Sequence, residues 1–282
     1  MVQESTSSDL IHLAKGNRDV VTDYYVPKAV IDEVKEFSLK VFVRLNAKQI
    51  KFKNVSFVHS VFDGCYLHNC VFDSCDFTGC RFIGSNLHQS TFPGSKFDYA
   101  LFERCQIDDD ILTDGAPREE NLRMRFARSL RMNYQQIGDA KAVNKAILLE
   151  LEATSKHLLE SWRSDHEYHR KKYPGLRRVA QFYNWMVFWI LHVFWGNGES
   201  ICKLLRSIVI AAVVIAIYDA RSLVDNATAS DYWNSLQLAP GIFLGTVSRA
   251  HHSIAASSMI VATKLVALSL LTALLVKRFG RR

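Results

Sequence analysis

The sequence predicts a mixed architecture: a β-solenoid of short repeats, then a helical hairpin, then a membrane-embedded helical region. Three observations predict it. Every fifth residue from Phe52 to Ile107 is large and apolar. A four-residue apolar recurrence follows from Leu122 to Tyr134. The last third holds two apolar runs long enough to approach bilayer thickness.

The repeat runs Phe52, Phe57, Phe62, Leu67, Phe72, Phe77, Phe82, Leu87, Phe92, Phe97, Phe102 and Ile107. Neither the 3.6-residue helical period nor the two-residue strand period gives that spacing. A strict short repeat implies a solenoid, each turn burying its apolar face against its neighbours. In a second register, two positions earlier, sit small residues: Ser60, Cys65, Cys70, Cys75, Cys80, Ser85, Ser90, Ser95, Ala100 and Cys105. These two registers resemble the pentapeptide-repeat family, whose central residue is Phe or Leu with Ala, Cys, Ser or Thr two positions before. The resemblance covers about 60 of the 282 residues. It implies a right-handed quadrilateral β-helix, one repeat per side, so twelve repeats make about three coils. The expected solenoid is residues 51–112, with 1–50 as an N-terminal cap in which Val26–Leu45 forms a short capping element. Its core is Phe57, Phe62, Leu67, Phe72, Phe77, Phe82, Leu87, Phe92, Phe97 and Phe102.

Five of the six Cys fall in the small-residue register. They read as reduced, buried, stacked residues. Their spacing supplies neither disulfide partners nor convergent zinc ligands, so no metal is expected. Free thiols point to a reducing, cytosolic compartment for the solenoid. Residues 1–20 are polar and carry no signal-peptide pattern.

The net charge is +7, unevenly spread. Lys51–Leu112 holds five Lys or Arg against eight Asp or Glu, and Arg118–Arg178 holds fourteen against eight. The solenoid is too weakly acidic for a nucleic-acid mimic. The cluster Arg123, Arg125, Arg128 and Arg131 reads as a solvated face or oligomer contact, so nucleic acid is not expected as a partner.

Pro117 followed by Arg118, Glu119 and Glu120 marks a helix start. Gly138 breaks that helix and Asp139 caps a second, with Ala142, Ala146, Leu149, Ala153, His157 and Trp162 along one face. Residues 118–172 are thus expected to form a hairpin whose second helix ends at Pro174-Gly175. The aromatic run Val179–Trp195 follows Arg177 and Arg178. Such aromatics concentrate at the membrane–water boundary, and Gln181, Asn184 and His192 dilute the run. Residues 176–198 therefore read as a helix lying along the interface.

Residues 199–282 hold the two apolar runs. Ser207–Tyr218 becomes a span if Lys203 and Arg206 snorkel and Leu223-Val224 extend it. Ile254–Val276 is interrupted only by Lys264 and small hydroxyl residues. Between them, an apolar stretch to Leu244 is too short to cross but long enough to re-enter. Basic residues flank the outer ends of both runs: Arg177, Arg178, Lys203 and Arg206 on one, Lys277, Arg278, Arg281 and Arg282 on the other. The positive-inside rule then places both termini in the cytoplasm of a multi-pass inner-membrane protein. Asn226-Ala-Thr228 matches a glycosylation sequon and reads as a chance match. His251 and His252 read as interfacial polar residues.

Span, re-entrant segment, span and basic tail is the layout of a two-transmembrane pore domain. Trp195-Gly-Asn-Gly-Glu-Ser200 resembles the junction before the pore of bacterial pentapeptide-repeat channel proteins, and the Arg118–Leu159 hairpin resembles their helical segment. Lys264–Arg282 is similar to the inner helix of potassium-channel pores. These resemblances imply an oligomeric ion channel, a tetramer by analogy, with a cytosolic sensor or assembly domain that answers a protein or small-molecule trigger. They extend to a stress or phage-defence effector that depolarises the cell. Gly196, Gly198 and Glu199 become junction or gating candidates; Gly241, Leu244, Gly245, Thr246, Val247 and Lys264 become pore candidates. The stretch Gly241–Ser248 departs from a potassium filter, lacking Gly-Tyr-Gly. Lys264 is costly facing lipid and is expected to face water, a partner or the pore. The alternative is a non-conducting, membrane-anchored scaffold with a partner-binding solenoid. Scattered His, no nucleophile paired with a base and no Gly-rich phosphate loop argue against an enzyme, and nothing calls for a cofactor.

Overall fold

The computed structural model describes residues 18–223, 227–249 and 251–279. The N-terminal residues 1–17, the sequon residue Asn226, Val224 and the tail residues Arg281 and Arg282 lie outside the described residues. The chain divides into two compact units, Met1–Arg178 and Val179–Arg282.

The first unit opens with eight short strands: β1 Asp19–Thr22, β2 Val30–Ile31, β3 Lys40–Val43, β4 Lys51–Lys53, β5 Val61–Asp63, β6 Val71–Asp73, β7 Arg81–Ile83 and β8 Leu101–Glu103. All pair in parallel, in the orders β1-β3-β5-β7-β8 and β2-β4-β6. The pairs Phe42↔Phe62, Phe62↔Phe82 and Phe52↔Phe72 step by twenty residues, so one coil takes four five-residue repeats. The predicted core side chains form columns through the coils. Phe62 stacks between Phe42 and Phe82, with centroids 5.3 and 4.8 Å away. Phe77 stacks between Phe57 and Phe97 at 4.9 Å on both sides. A third column holds Phe52, Phe72 and Phe92, and Leu67 and Leu87 are buried with them.

Each side of the coil ends in a sharp bend. Every fifth residue from Arg44 to Arg104 has positive φ, filled by Gly at 64, 79, 84 and 94 and elsewhere by residues such as Asn54, Asn69 and Ser74. The left-handed bend turns the chain between sides, and Gly and Asn occupy it at least strain.

The solenoid is longer than the repeat suggests. Among the described residues it makes about four turns and begins at β1, inside the expected N-terminal cap. The first coil escapes the period because its registers differ: Asp19 pairs with Lys40 and Val30 with Phe52, offsets of twenty-one and twenty-two.

The small-residue register is a hydrogen-bond ladder. Apart from Ala100 above Cys80, twenty-residue steps alternate Cys with Ser, so Cys65 lies below Ser85 and Cys70 below Ser90. Each hydroxyl accepts from the backbone N–H of the coil below; those of Ser85 and Ser90 also donate to the carbonyls of Phe62 and Leu67. The Cys80 thiol donates to Phe57 at 2.8 Å. All six Cys are free, the five in the ladder buried. Burial pushes the Cys65 thiol up to about 12 and Cys75 to about 11.

Beyond the last coil come α1 Ile111–Asp114, α2 Glu120–Ile137, α3 Ala140–Arg163 and α4 Glu167–Lys172. Helix α2 covers the open end of the solenoid. The Asn133 side chain accepts from the Cys105 N–H at 2.6 Å and donates to its carbonyl at 2.9 Å. Ser129 accepts from Phe102 N–H and Gln136 from Arg104 N–H. These side chains stand in for the next coil and satisfy an edge that otherwise invites strand pairing. Phe126 continues the aromatic column above Phe97 and Phe102.

Gly138 takes φ +80 at the end of α2, and Asp139 accepts from Ala142 N–H to start α3, as the hairpin requires. The second helix stops at Arg163, earlier than Pro174-Gly175, because the Ser164 hydroxyl bonds the His166 N–H and diverts the backbone. The Arg cluster is used internally: Arg128 and Arg131 pair with Glu150, Arg123 with Glu120, and Arg125 lies over Tyr99.

The second unit is helical: α5 Leu176–Trp195, which starts just before the unit boundary, α6 Ile201–Leu223, α7 Ala229–Leu244 and α8 Ile254–Phe279. Helices α6 and α8 are long and apolar enough to cross a membrane.

Candidate functional site

Helices α6, α7 and α8 pack on a small apolar centre of Ile215, Ala216, Ala239, Ile242, Phe243 and Ala267. Most other apolar side chains of α6 and α8 are exposed, among them Val209, Ile210, Val214, Leu265 and Val266. An apolar cavity of about 510 Å³ lies between α5, α6, α7 and α8, with Trp195, Ile208, Phe243 and Leu270 in its wall.

The predicted re-entrant segment is α7, an α-helix with Pro240 inside it. Gly241 and Leu244 form its last turn, and Gly245 ends it in the left-handed conformation, φ +80. Thr246 and Val247 fold back, both N–H groups donating to the Gly241 carbonyl at 2.9 and 3.2 Å. A Cβ on Gly241 would come within 2.8 Å of the Val247 side chain, so a larger residue there would force Val247 to shift. Lys264 of α8 reaches this turn, its Nζ donating to the Leu244 carbonyl at 3.3 Å. A cation there answers the partial negative charge at the C-terminal end of α7.

The junction candidates are at the start of α6. Gly196 and Gly198 have φ of +67 and +82, and Asn197 between them +54. Lys277 near the end of α8 donates to the Gly198 carbonyl at 2.9 Å and pairs with Glu199.

Reasoning from sequence missed a second polar cluster. Asp219, near the end of α6, is fully buried. Its Oδ2 accepts from Ser235 Oγ of α7 at 2.8 Å and from Arg249 Nη2 at 3.1 Å. The Nε2 atoms of His251 and His252 lie 3.0 and 2.9 Å from its Oδ1. The two His are therefore not merely interfacial polar residues. The pattern gave no signal for this, because the partners are sixteen to thirty-three residues from Asp219 in sequence.

The two clusters close opposite ends of one helix. Glu199 and Asp219 are twenty residues apart, which along an α-helix is about 30 Å. That is about the thickness of a bilayer's hydrocarbon core.

Residues 47–101 match the family model for pentapeptide repeats, in 9 copies. The first unit thus holds a β-solenoid of about four turns, consistent with a pentapeptide-repeat β-helix, with a helical region attached. Among solved structures, the chain is similar to a pentapeptide repeat protein from the Arabidopsis thaliana thylakoid lumen, at 17% identity over 40% of this chain and 76% of that one, TM-score 0.30. It is also similar to HetL, a pentapeptide repeat protein involved in heterocyst differentiation regulation from the cyanobacterium Nostoc sp. strain PCC 7120, at 11% identity over 38% of this chain and 44% of that one, TM-score 0.26. A third is Rfr23 from the cyanobacterium Cyanothece 51142, at 12% identity over 36% of this chain and 87% of that one, TM-score 0.20. No curated protein matches the chain.

Proposed function

We propose that this chain is one subunit of an oligomeric membrane pore whose pentapeptide-repeat solenoid is a cytosolic sensor or assembly domain. One observation carries the reading. Two apolar helices of one compact unit leave most of their apolar side chains uncovered, and polar clusters about 30 Å apart bracket α6. A water-soluble protein does not leave such a surface bare; a bilayer covers it. Basic residues at the α5 start and the α8 end orient both termini to the cytoplasm of the inner membrane.

Two spans cannot enclose a conduit, so the pore is a homo-oligomer, with a tetramer expected. The pore candidates Gly241, Leu244, Gly245, Thr246, Val247 and Lys264 gather at one turn, and Lys264 there disfavours cation passage. Gly196, Gly198 and Glu199, held by Lys277, are the coupling point between α5 and the first span. The trigger is a protein or small molecule at the cytosolic unit. No catalytic activity or nucleic-acid partner is proposed.

A specific observation favours a non-conducting scaffold as the second reading. The Gly241 and Leu244 carbonyls are taken up by hydrogen bonds within the subunit, so they are not free to replace an ion's hydration shell.

Ion flux through the purified protein in liposomes separates the two. A pore gives flux that deletion of residues 241–248 abolishes, and Lys264→Glu shifts the reversal potential toward cations. Absence of flux under all salts and pH values, with the protein inserted and folded, supports the scaffold; an unchanged reversal potential in a conducting Lys264→Glu variant removes Lys264 from the conduit.

A further inference from the structure

We propose that Asp219, His251 and His252 form a binding site for a transition-metal dication, with Zn²⁺ the expected occupant. Each residue offers one ligand atom, and the three atoms lie within 4.8 Å of one another. Asp219 Oδ1 stands 3.0 Å from Nε2 of His251 and 2.9 Å from Nε2 of His252. A tetrahedral zinc ion with bonds of about 2.0–2.1 Å holds its ligands roughly 3.3 Å apart. The two Asp219–imidazole distances reach that value when the rings withdraw from Oδ1 by a few tenths of an ångström, and the two imidazole nitrogens already lie within 4.8 Å of each other.

The surroundings are those of a prepared ligand set. Asp219 is completely buried, and its other oxygen is occupied twice, by Ser235 and Arg249. Those bonds fix the carboxylate plane and leave Oδ1 toward the imidazoles, the orienting role that outer partners of metal ligands play. The His252 side chain is 3% exposed and His251 24% exposed, so one edge of the cluster opens to the surface and leaves room for access and for a fourth ligand.

The donor set selects the ion. Arg249 balances the Asp219 charge, so the two imidazole nitrogens must carry the affinity. Imidazole suits Zn²⁺ and its neighbours in the transition series, whereas Ca²⁺ and Mg²⁺ require several oxygens. Bound metal would fasten the segment before α8 to the end of α6, while Ser235 brings α7 into the same cluster. This site stands whether or not the chain conducts ions.

The test uses the full-length protein, purified in detergent and stripped with chelator. Isothermal titration with ZnCl₂ is expected to show one saturable site per chain, with CaCl₂ and MgCl₂ giving none. The double variant His251→Gln, His252→Gln keeps hydrogen-bond donors to Asp219 but removes the ligating nitrogens, and should weaken binding at least 100-fold. Ser235→Ala should weaken it about 10-fold, the usual effect of losing an orienting partner. A second readout needs no variant. Co²⁺ added to the wild-type protein should give the visible bands of a four-coordinate nitrogen–oxygen site. No saturable zinc binding by the wild type, undiminished binding by a folded Gln variant, or sulfur-to-cobalt charge-transfer bands marking a cysteine site would each overturn the proposal.

Discussion

Removing the ring of Phe77 tests whether the aromatic columns hold the solenoid together. Phe77 is fully buried. It stacks at 4.9 Å on Phe57 and on Phe97 and meets Phe62, Phe72, Phe82 and Phe92 edge-on or tilted. Truncating a buried Phe to Ala costs about 3–5 kcal/mol. Aromatic pairs add about 0.5–1.5 kcal/mol each beyond area, so six ring neighbours put Phe77→Ala at no less than about 4 kcal/mol. The coils on either side are held by the same columns and cannot close over the cavity. The chain's Trp residues all lie beyond the solenoid, at 162 and later, so fluorescence is blind to it. Hydrogen exchange read by mass spectrometry on the peptides of β4 to β8 is the suitable assay. A loss of about 4 kcal/mol lowers protection there by about 10³-fold, leaving α6 and α8 unchanged because repeat proteins pass stability between neighbours only. A loss under tenfold, no larger than that of the half-exposed Val71→Ala, would refute the reasoning.

Two further outcomes follow from the same geometry. Asn133→Leu removes the side chain that closes the last coil and leaves the Cys105 N–H and carbonyl buried without their partner; the expected cost is about 3 kcal/mol, seen as lost exchange protection confined to residues 101–107, and a loss below about 1 kcal/mol would show that α2 does not cap the solenoid. The ladder thiols give a pH dependence: burial raises Cys65 to about 12 and Cys75 to about 11 from an ordinary 9.0. The folded state keeps these protons where the unfolded chain has released them, so stability is full below pH 9 and falls between pH 9 and 12. The urea midpoint of the solenoid should drop from pH 8 to pH 10.5, and the double variant Cys65→Ser, Cys75→Ser should make that slope shallower, the buried Cys70, Cys80 and Cys105 keeping the remainder; equal slopes in the two proteins would remove Cys65 and Cys75 as contributors.

The solenoid was legible in the sequence from Phe52 onward, because each coil buries its apolar face against the coils one turn away and so prints its period on every repeat. Phe62, Phe77 and Phe92 fall in columns for that reason alone. The earliest coil was not legible, since an offset of twenty-one or twenty-two residues keeps the coil but destroys the period. Helix boundaries at Gly138 and Asp139 were written locally, in one residue that accepts a left-handed backbone and one that caps. Length and apolarity likewise marked α6 and α8.

What only the tertiary structure decided lies where distant segments meet. No local pattern announces that α2 closes the solenoid, since Ser129, Asn133 and Gln136 read as ordinary polar positions of an amphipathic helix until Phe102, Cys105 and Arg104 present unpaired backbone to them. Lys264 looked like an isolated charge in an apolar run until the end of α7 brought the Leu244 carbonyl to it. Asp219 carries no local pattern of its own; helix packing buries it and brings Ser235, Arg249, His251 and His252 to its two oxygens. The sequence by itself determined the elements whose stability comes from near neighbours along the chain. The polar clusters were settled by packing, because a buried charge is tolerated only where the fold gathers partners from several elements at once.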